Sequence, residues 1–408
     1  MSTRDYATNG QFVLNKLSVF SKDTNGEDEI EWDLIPSYIE CSLFESIYDQ
    51  TMSGYVAVLD SLNVIDLLPL YGNERIEIEF HTAGSDNVIE YKGRIYKVSE
   101  RTQVTEKTSG HILRFVSEAM ILSERIFVQQ GVQDTPDNVV RWLYDTYLTP
   151  ETEPKTLHTQ TGMYVMPYTF GTLHPLEAIT IASRGCAAAD YTHGYMFYEN
   201  SEEFRFETIE SMYQKDPVAR YYSAHHGMYD DVKNRVAETF ERVQKVIFDE
   251  ENSLLDRMHD GTHGSDHVFF DLVTKQVVNH HYRKEDYYLE TASLGDTPHK
   301  KTIDPGTDVT FLSYVNNTID STVDDVISRM AKIQSETFRA FITVFGDSAL
   351  KAGDVLEVYL PRLNTAPEET TSVFEGKVLI AALRHTITKD SYMQEIEIVK
   401  DSYNKRDQ

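Results

Sequence analysis

The sequence predicts a β-rich α+β protein, with two similar small antiparallel β-barrels and a mixed α/β middle region. Three observations predict it. One strand-and-turn pattern is written twice, once in each half of the chain. Helical spacing of apolar residues falls in short stretches between the two copies. Tyr (25) and Phe (19) are plentiful while Pro is modest at 12, a composition that suits strands.

The first copy runs through residues 54–61, 72–80, 91–98 and 111–117, and the second through 341–348, 353–360, 374–380 and 393–399. Ile76, Glu77, Ile78, Glu79 and Phe80 alternate apolar and charged, as a half-buried strand requires. Pro69 and Gly72 break the pattern ahead of that strand, and Asn25-Gly26 predicts an early hairpin turn. The lengths between glycines match Gly72 with Gly353 and Gly93 with Gly376. In the middle, Thr135 and Pro136 predict a helix start, with Val139, Val140, Leu143 and Tyr147 on one face. A second helix starts near His174-Pro175, carries Leu176, Ile179 and Ala182, and stops at Gly185. Two strands over 195–199 and 204–207 form a hairpin about Asn200-Ser201. Residues 236–248 fit either strand or helix, because their apolar spacing suits neither period. A Gly-rich turn at 259–265 precedes a strand from Val268, and 291–310 reads as a loop. Ser321 and Asp324 predict a capping box, opening a helix with Val323, Ile327, Met330 and Ile333 on one face.

These elements divide the chain into a first barrel over 1–118 and a mixed α/β domain over 119–215. An insertion with part of the second barrel follows over 216–327, including a connecting loop at 286–310. The main part of the second barrel spans 328–401, and a polar tail covers 402–408. A length of 408 residues agrees with two to four domains.

Lys plus Arg is 38 against Asp plus Glu 66, a net charge of -28. That surface repels polyanions and excludes affinity built on phosphate neutralisation. It also suits a wall past which nucleic acid moves without sticking. Cys41 and Cys186 match no metal spacing and read as reduced, buried thiols of a chain folded in a cytoplasm. No secretory leader and no apolar run near about 18 residues is seen, so no membrane span is expected.

Residues 345–353 resemble the nucleophile block of Gly-Asp-Ser-Leu esterases, with Ser348 as the candidate nucleophile. The only later histidine, His385, lacks an Asp three residues before it; Ala382 stands there. Without a base the serine is inert, so the stretch reads as a turn, with Gly346 and Gly353 at positive φ and Asp347 bonding local amides. His259, His263, Asp266 and His267 carry metal-ligand chemistry, but the glycines among them deny a defined helical spacing. His225-His226 and His280-His281 are adjacent pairs that point to opposite faces in a strand. No nucleophile elbow, phosphate loop, dinucleotide fingerprint or zinc-protease helix motif is present. Catalytic, cofactor and metal residues are therefore all assigned as none. Two other readings stand beside the structural one: a tail-associated envelope hydrolase or esterase acting through Ser348, and a glycan-binding module using aromatic strands such as 195–198.

Residues 335–361, 374–385 and 397–402 are similar to the second tube domain of the baseplate hub proteins of contractile-tailed bacteriophages. That family is related in fold to the base of type VI secretion spike proteins. Residues 194–206 and 258–275 resemble the family's middle region. The ordered set carries the likeness over nearly the whole chain, and 286–310 matches least. The resemblance implies a structural hub of the virion tail baseplate, assembled in the bacterial host cytoplasm. It implies a homotrimer whose two tube barrels per chain make a pseudo-six-fold ring. Such a ring joins the six-fold tail tube and its initiator to the three-fold central spike, touches surrounding baseplate proteins, and passes viral DNA without specific binding. The family carries no catalytic residues of its own. The acidic excess is expected on the inner wall, with Glu77 and Glu79, and Glu395 and Glu397, each sharing one strand face.

Overall fold

In a computed structural model of the chain, the described residues are 10–22, 29–61, 70, 72–105, 108–150, 154–222, 240–249, 255, 259–261, 264–282, 293–295, 309–314, 319–336, 338–360 and 375–402. The first copy of the repeat supplies β1 (Phe12–Lys22), β2 (Glu29–Asp33), β3 (Tyr38–Ser46), β4 (Ser53–Asp60), β5 (Arg75–Thr82), β6 (Val88–Thr105) and β7 (Thr108–Ser117). The middle supplies β8 (Val128–Asp134), β9 (Thr156–Thr159), β10 (Met166–Leu173), β11 (Tyr195–Glu199) and β12 (Glu203–Thr208). Then come β13 (Ala219–Tyr222), β14 (Lys245–Asp249), β15 (Ser265–Asp271), β16 (Gln276–Tyr282) and β17 (Val309–Tyr314). The second copy closes with β18 (Phe338–Phe345), β19 (Val355–Tyr359), β20 (Gly376–Thr388) and β21 (Tyr392–Lys400).

Alternation builds the strands of both copies. On β5, Ile76, Ile78, Phe80 and Thr82 turn inward, and on β18 Phe338, Ala340, Ile342 and Val344 do the same. Each copy closes on its own apolar cluster. Leu17, Val56, Ile78, Phe80, Ile95 and Phe115 anchor the first, and Ile342, Val344, Leu356, Val378, Ile380 and Ile396 the second. Full burial of each large apolar side chain contributes about 1.5–3 kcal/mol. The first cluster also takes in Ile387 and Tyr392 from β20 and β21, so the two cores are stitched together. The strands of both copies join one 13-stranded sheet, in the order β14-β18-β21-β20-β3-β4-β7-β6-β5-β1-β2, with β19 and β13 branching from β20. The β-rich, antiparallel class is as the sequence predicts.

The middle helices occupy the predicted places with altered ends. Pro136–Leu143 follows Thr135, and Val139, Val140 and Leu143 are buried. Thr135 makes no side-chain cap; Asp134 Oδ1 instead accepts from Thr135 N at 2.7 Å and from Asn138 Nδ2 at 2.8 Å. The helix Pro175–Ala182 is opened by Glu177, whose carboxylate accepts from His174 N at 2.9 Å. Gly185, at φ 69°, lies three residues past its end. The hairpin β11–β12 pairs Phe197 with Phe206 about the predicted turn. The expected capping box at Ser321 is corrected: the helix is Ile319–Ser335, so Ser321 lies inside it, where its buried side chain leaves no room for a solvent-facing cap. Its face of Val323, Val326, Ile327 and Met330 packs on Phe269 and Tyr282. The ambiguous stretch 236–248 ends as strand β14, which has a partner in β18. The expected loop at 291–310 overlaps the start of β17. The predicted turn at Asn25-Gly26, the pair His225-His226, His263 and the tail 403–408 lie outside the described residues.

Candidate functional site

The two copies match strand for strand. In the first the order is β3-β4-β7-β6-β5-β1, and in the second β14-β18-β21-β20-β19-β13. Single hydrogen bonds fix the register between them. Ile95 N donates to Glu74 O at 2.8 Å and Asn73 N to Ile95 O at 2.6 Å; Ile380 N donates to Asp354 O at 2.8 Å and Gly353 N to Ile380 O at 2.9 Å. Each copy then bulges at the next step, between Ile95 and Lys97 and between Ile380 and Ala382. Gly353 therefore corresponds to Asn73, not Gly72, and both take positive φ (85° and 81°). Gly93 pairs with Ile76, whereas Gly376 pairs with Val358, two steps further along, so those glycines are not counterparts. One pairing differs in direction: β1 runs antiparallel to β5, but β13 runs parallel to β19.

Between the copies lies a joint. The first part of β20 pairs with β19 up to Leu379, and its second part, from Ala382 to Thr388, pairs with β3. Beneath the joint sits a closed polar set. His385 Nδ1 meets Tyr392 Oη at 2.6 Å, and His385 Nε2 meets Glu45 Oε1 at 3.4 Å. Glu45 Oε2 accepts from Ala352 N at 3.2 Å. Both Glu45 and His385 are buried, so each must find its partners inside the fold, and Gln394 Nε2 adds one more at 3.2 Å from His385 Nδ1.

Ser348 belongs to the same seam. Its hydroxyl donates to Asn87 O at 2.6 Å and accepts from Thr82 N at 3.2 Å, while Ser348 N donates to Thr82 Oγ1 at 2.9 Å. A serine this buried, with its proton held by a carbonyl, is a fastener between the copies. Asp347 bonds a local amide as expected, Oδ1 accepting from Ala349 N at 3.0 Å. Gly346 does not take positive φ, correcting that expectation. It is glycine because any Cβ would fall against the ring of Tyr392.

On the sheet face away from the cores, charges alternate across neighbouring strands. Arg339 Nε meets Glu397 at 2.7 Å and Asp249 at 3.7 Å. Arg384 meets Glu395 and Glu40 at 3.2 Å each and Tyr55 Oη at 2.8 Å. Glu77 pairs with Lys16 and, at 3.3 Å, with Arg75; Glu79 accepts from Asn15 Nδ2 at 2.7 Å. The carboxylate pairs 77/79 and 395/397 do share a face, and three of the four sit beside cations. These three carboxylates are thus balanced locally by cations on this belt.

The middle region is tied to the second copy by buried ions. Lys215 Nζ donates to Glu207 Oε1 at 2.7 Å and to Gly353 O at 3.0 Å, and Tyr198 Oη donates to Glu207 Oε1 at 2.6 Å. Burial opposes the Glu207 charge, but the Lys215 ammonium and these bonds hold its carboxyl below the usual range. His193 holds the helix Ile319–Ser335: its Nδ1 meets Glu210 at 3.3 Å and its Nε2 Asp324 at 3.7 Å. Burial opposes the imidazolium, but bonds and charge from Asp324 and Glu210 outweigh it, lifting the pKa from 6.5 to about 9. A raised histidine pKa stabilises fully below the unfolded value and is lost as pH rises through the folded one. Raising pH from 6.5 past 9 is expected to cost roughly 3 kcal/mol, and His193→Gln is expected to flatten that slope in urea titrations across the range.

The other candidates stay apart. His267 is buried against Phe311, and burial together with Arg329 lowers its pKa to about 4. Asp266 bonds His281 instead, and no group of metal-ligating side chains converges among the described residues. His280 and His281 point to opposite faces of β16, as predicted. Both cysteines are free and buried, with burial pushing the Cys41 thiol up to about 12. The aromatics of 195–198 that a glycan site would use are mostly core: Tyr195 stacks on Phe206 at 4.4 Å, and Tyr198 is fully buried. Among the described residues no helix is long and apolar enough to cross a membrane. The joint, and the cations that face the belt's carboxylates, escaped the sequence reading, because strand adjacency between distant segments leaves no local pattern.

No family model matches the chain. It is similar to a protein of Vibrio phage KVP40 described as "Probable baseplate hub protein gp334", with 20% identity over 418 residues, 96% of this chain and 95% of that one. This chain is a homologue of a phage baseplate hub protein. Its fold is also that of solved tail proteins. The tail protein from Neisseria meningitidis MC58 matches at a TM-score of 0.55, with 13% identity over 95% of this chain and 97% of that one. The 43 kDa tail protein of prophage MuSo2 from Shewanella oneidensis matches at 0.57, with 7% identity over 95% and 98%. The resemblance read from the sequence holds over the same extent.

Proposed function

We propose that this hub homologue is a structural baseplate hub of a contractile phage tail, acting as a homotrimer. Three chains with two equivalent modules each make a ring of six, which meets a six-fold tail tube on one side and a three-fold central spike on the other. The observation that carries this reading is the matched strand order of the two copies, since duplication lets each copy diverge at its own contacts. The domain division goes with it: 1–118 and 328–401, with the part of 216–327 that carries β13 and β14, form the ring, 119–215 packs beside it, and 216–327 otherwise supplies the insertion and its loop at 286–310. The tube initiator, the spike and neighbouring baseplate proteins are its partners in the virion tail, and DNA passes through the centre. The net charge of -28 supports passage without adhesion. A non-enzymatic role is supported by Ser348, whose proton is held by Asn87 O.

The test is the solution mass of the full chain, alone and together with its neighbouring tail proteins. Three copies per complex are expected in at least the second setting. A tight dimer that never enters particles overturns the proposal.

A further inference from the structure

The joint inside one chain specifies the joint between chains. We propose that β14 of one chain adds to the far part of β6 of a second copy, antiparallel, with Ile247 facing Thr102 of that copy and Asp249 facing its Ser99. This rests on the trimeric ring proposed above and names its contact.

The derivation uses equivalent positions. Inside the chain, β3 of the first copy pairs with the far part of β20 in the second. The counterpart of β3 is β14, because Ser42 pairs with Tyr55 as Ile247 pairs with Phe341, and Tyr55 and Phe341 face Arg114 and Glu397, which sit at the same step of their ladders. The counterpart of β20 is β6, because both bulge directly after their first partner ends. β14 is the terminal strand of the sheet, and beyond Ile95 no described strand pairs with β6 on its β5 side. Among the described strands two complementary edges thus have no strand partner, each the twin of an edge already joined.

Register follows from the same twins. Thr386 pairs with Ser42 and Arg384 with Phe44 at the internal joint. Thr386 faces Met393 as Thr102 faces Gly110, and Arg384 faces Glu395 as Ser99 faces Ile112. Phe44 faces Ser53 as Asp249 faces Arg339. A bulge between Ser99 and Thr102 absorbs one extra residue. Exposure singles out the same places. Ser42 and Ala381 are 0% exposed at the internal joint, while their counterparts Ile247 and Tyr96 are 48% and 52% exposed. Sheet edges flanked by exposed apolar side chains are templates for strand addition.

The experiment uses the full chain carrying Ile247→Cys and Thr102→Cys together, treated with a short thiol-bridging reagent in the setting in which the mass shows three copies. Covalent trimer on a denaturing gel is expected, and neither single variant nor Ile247→Cys with Lys92→Cys is expected to give it. A second pair, Asp249→Cys with Ser99→Cys, checks the register. Three copies by mass with no bridged product from either pair overturns the strand contact and leaves the ring reading intact. Failure to find three copies in any setting overturns both.

Discussion

Glu45→Ala is expected to cost about 3 kcal/mol of stability, since removing one partner of a buried charged or hydrogen-bonded pair strands the other. Glu45 is the acceptor for the Ala352 amide and the neighbour of His385 Nε2. Both partners come from the second copy, and the carboxylate and the imidazole are both buried. Glu45→Gln keeps one acceptor oxygen and is expected to lose less than half as much. Urea unfolding of the three proteins checks this. A change within about 0.5 kcal/mol for Glu45→Ala, the range of ordinary surface substitutions, would contradict the joint as described.

Gly346→Ala is expected to be still more damaging, at or above about 3 kcal/mol, the upper range for forcing atoms into a packed core. The added methyl would fall inside the Tyr392 ring. That ring has nowhere to go. Its hydroxyl is held by His385, and its edges meet Phe80 at 5.4 Å and Phe12 at 6.4 Å. Gly346 itself is pinned by Thr82 Oγ1, which donates to its carbonyl at 3.0 Å. The measurable outcome is a chain that loses its cooperative thermal transition or stays in the insoluble fraction. A soluble Gly346→Ala protein melting within a few degrees of the parent would show that the seam yields.

The strands of both copies were legible because one buried face writes a two-residue period into the sequence, as on β5 and β18. The middle helices were legible from Pro136 and Pro175, which set their first turns. Matching the copies by their glycines misplaced the register, since Asn73 fills the left-handed position that Gly353 fills in the other copy. Gly346 misled for the opposite reason: its need is space beside a distant ring, and nothing within a few residues records that. The capping box at Ser321 failed because the helix already begins at Ile319, two residues earlier. The charge belt was half visible. Glu77 and Glu79 showed as one face, but their pairing with Lys16, Arg75 and Asn15 depends on β1 lying beside β5, which only the folded sheet reveals.

The long strand β20 has a mechanical consequence. On one side β21 lies along it from Leu379 to Ile387 with a single bulge, while on the other side its partner changes from β19 to β3. β21 therefore acts as a splint across the place where two halves meet. A pull that tries to part the halves along the strand direction loads many backbone bonds at once instead of opening them singly. Stress arriving at one half is handed to the other through the spine of the sheet, so the two deform as one beam.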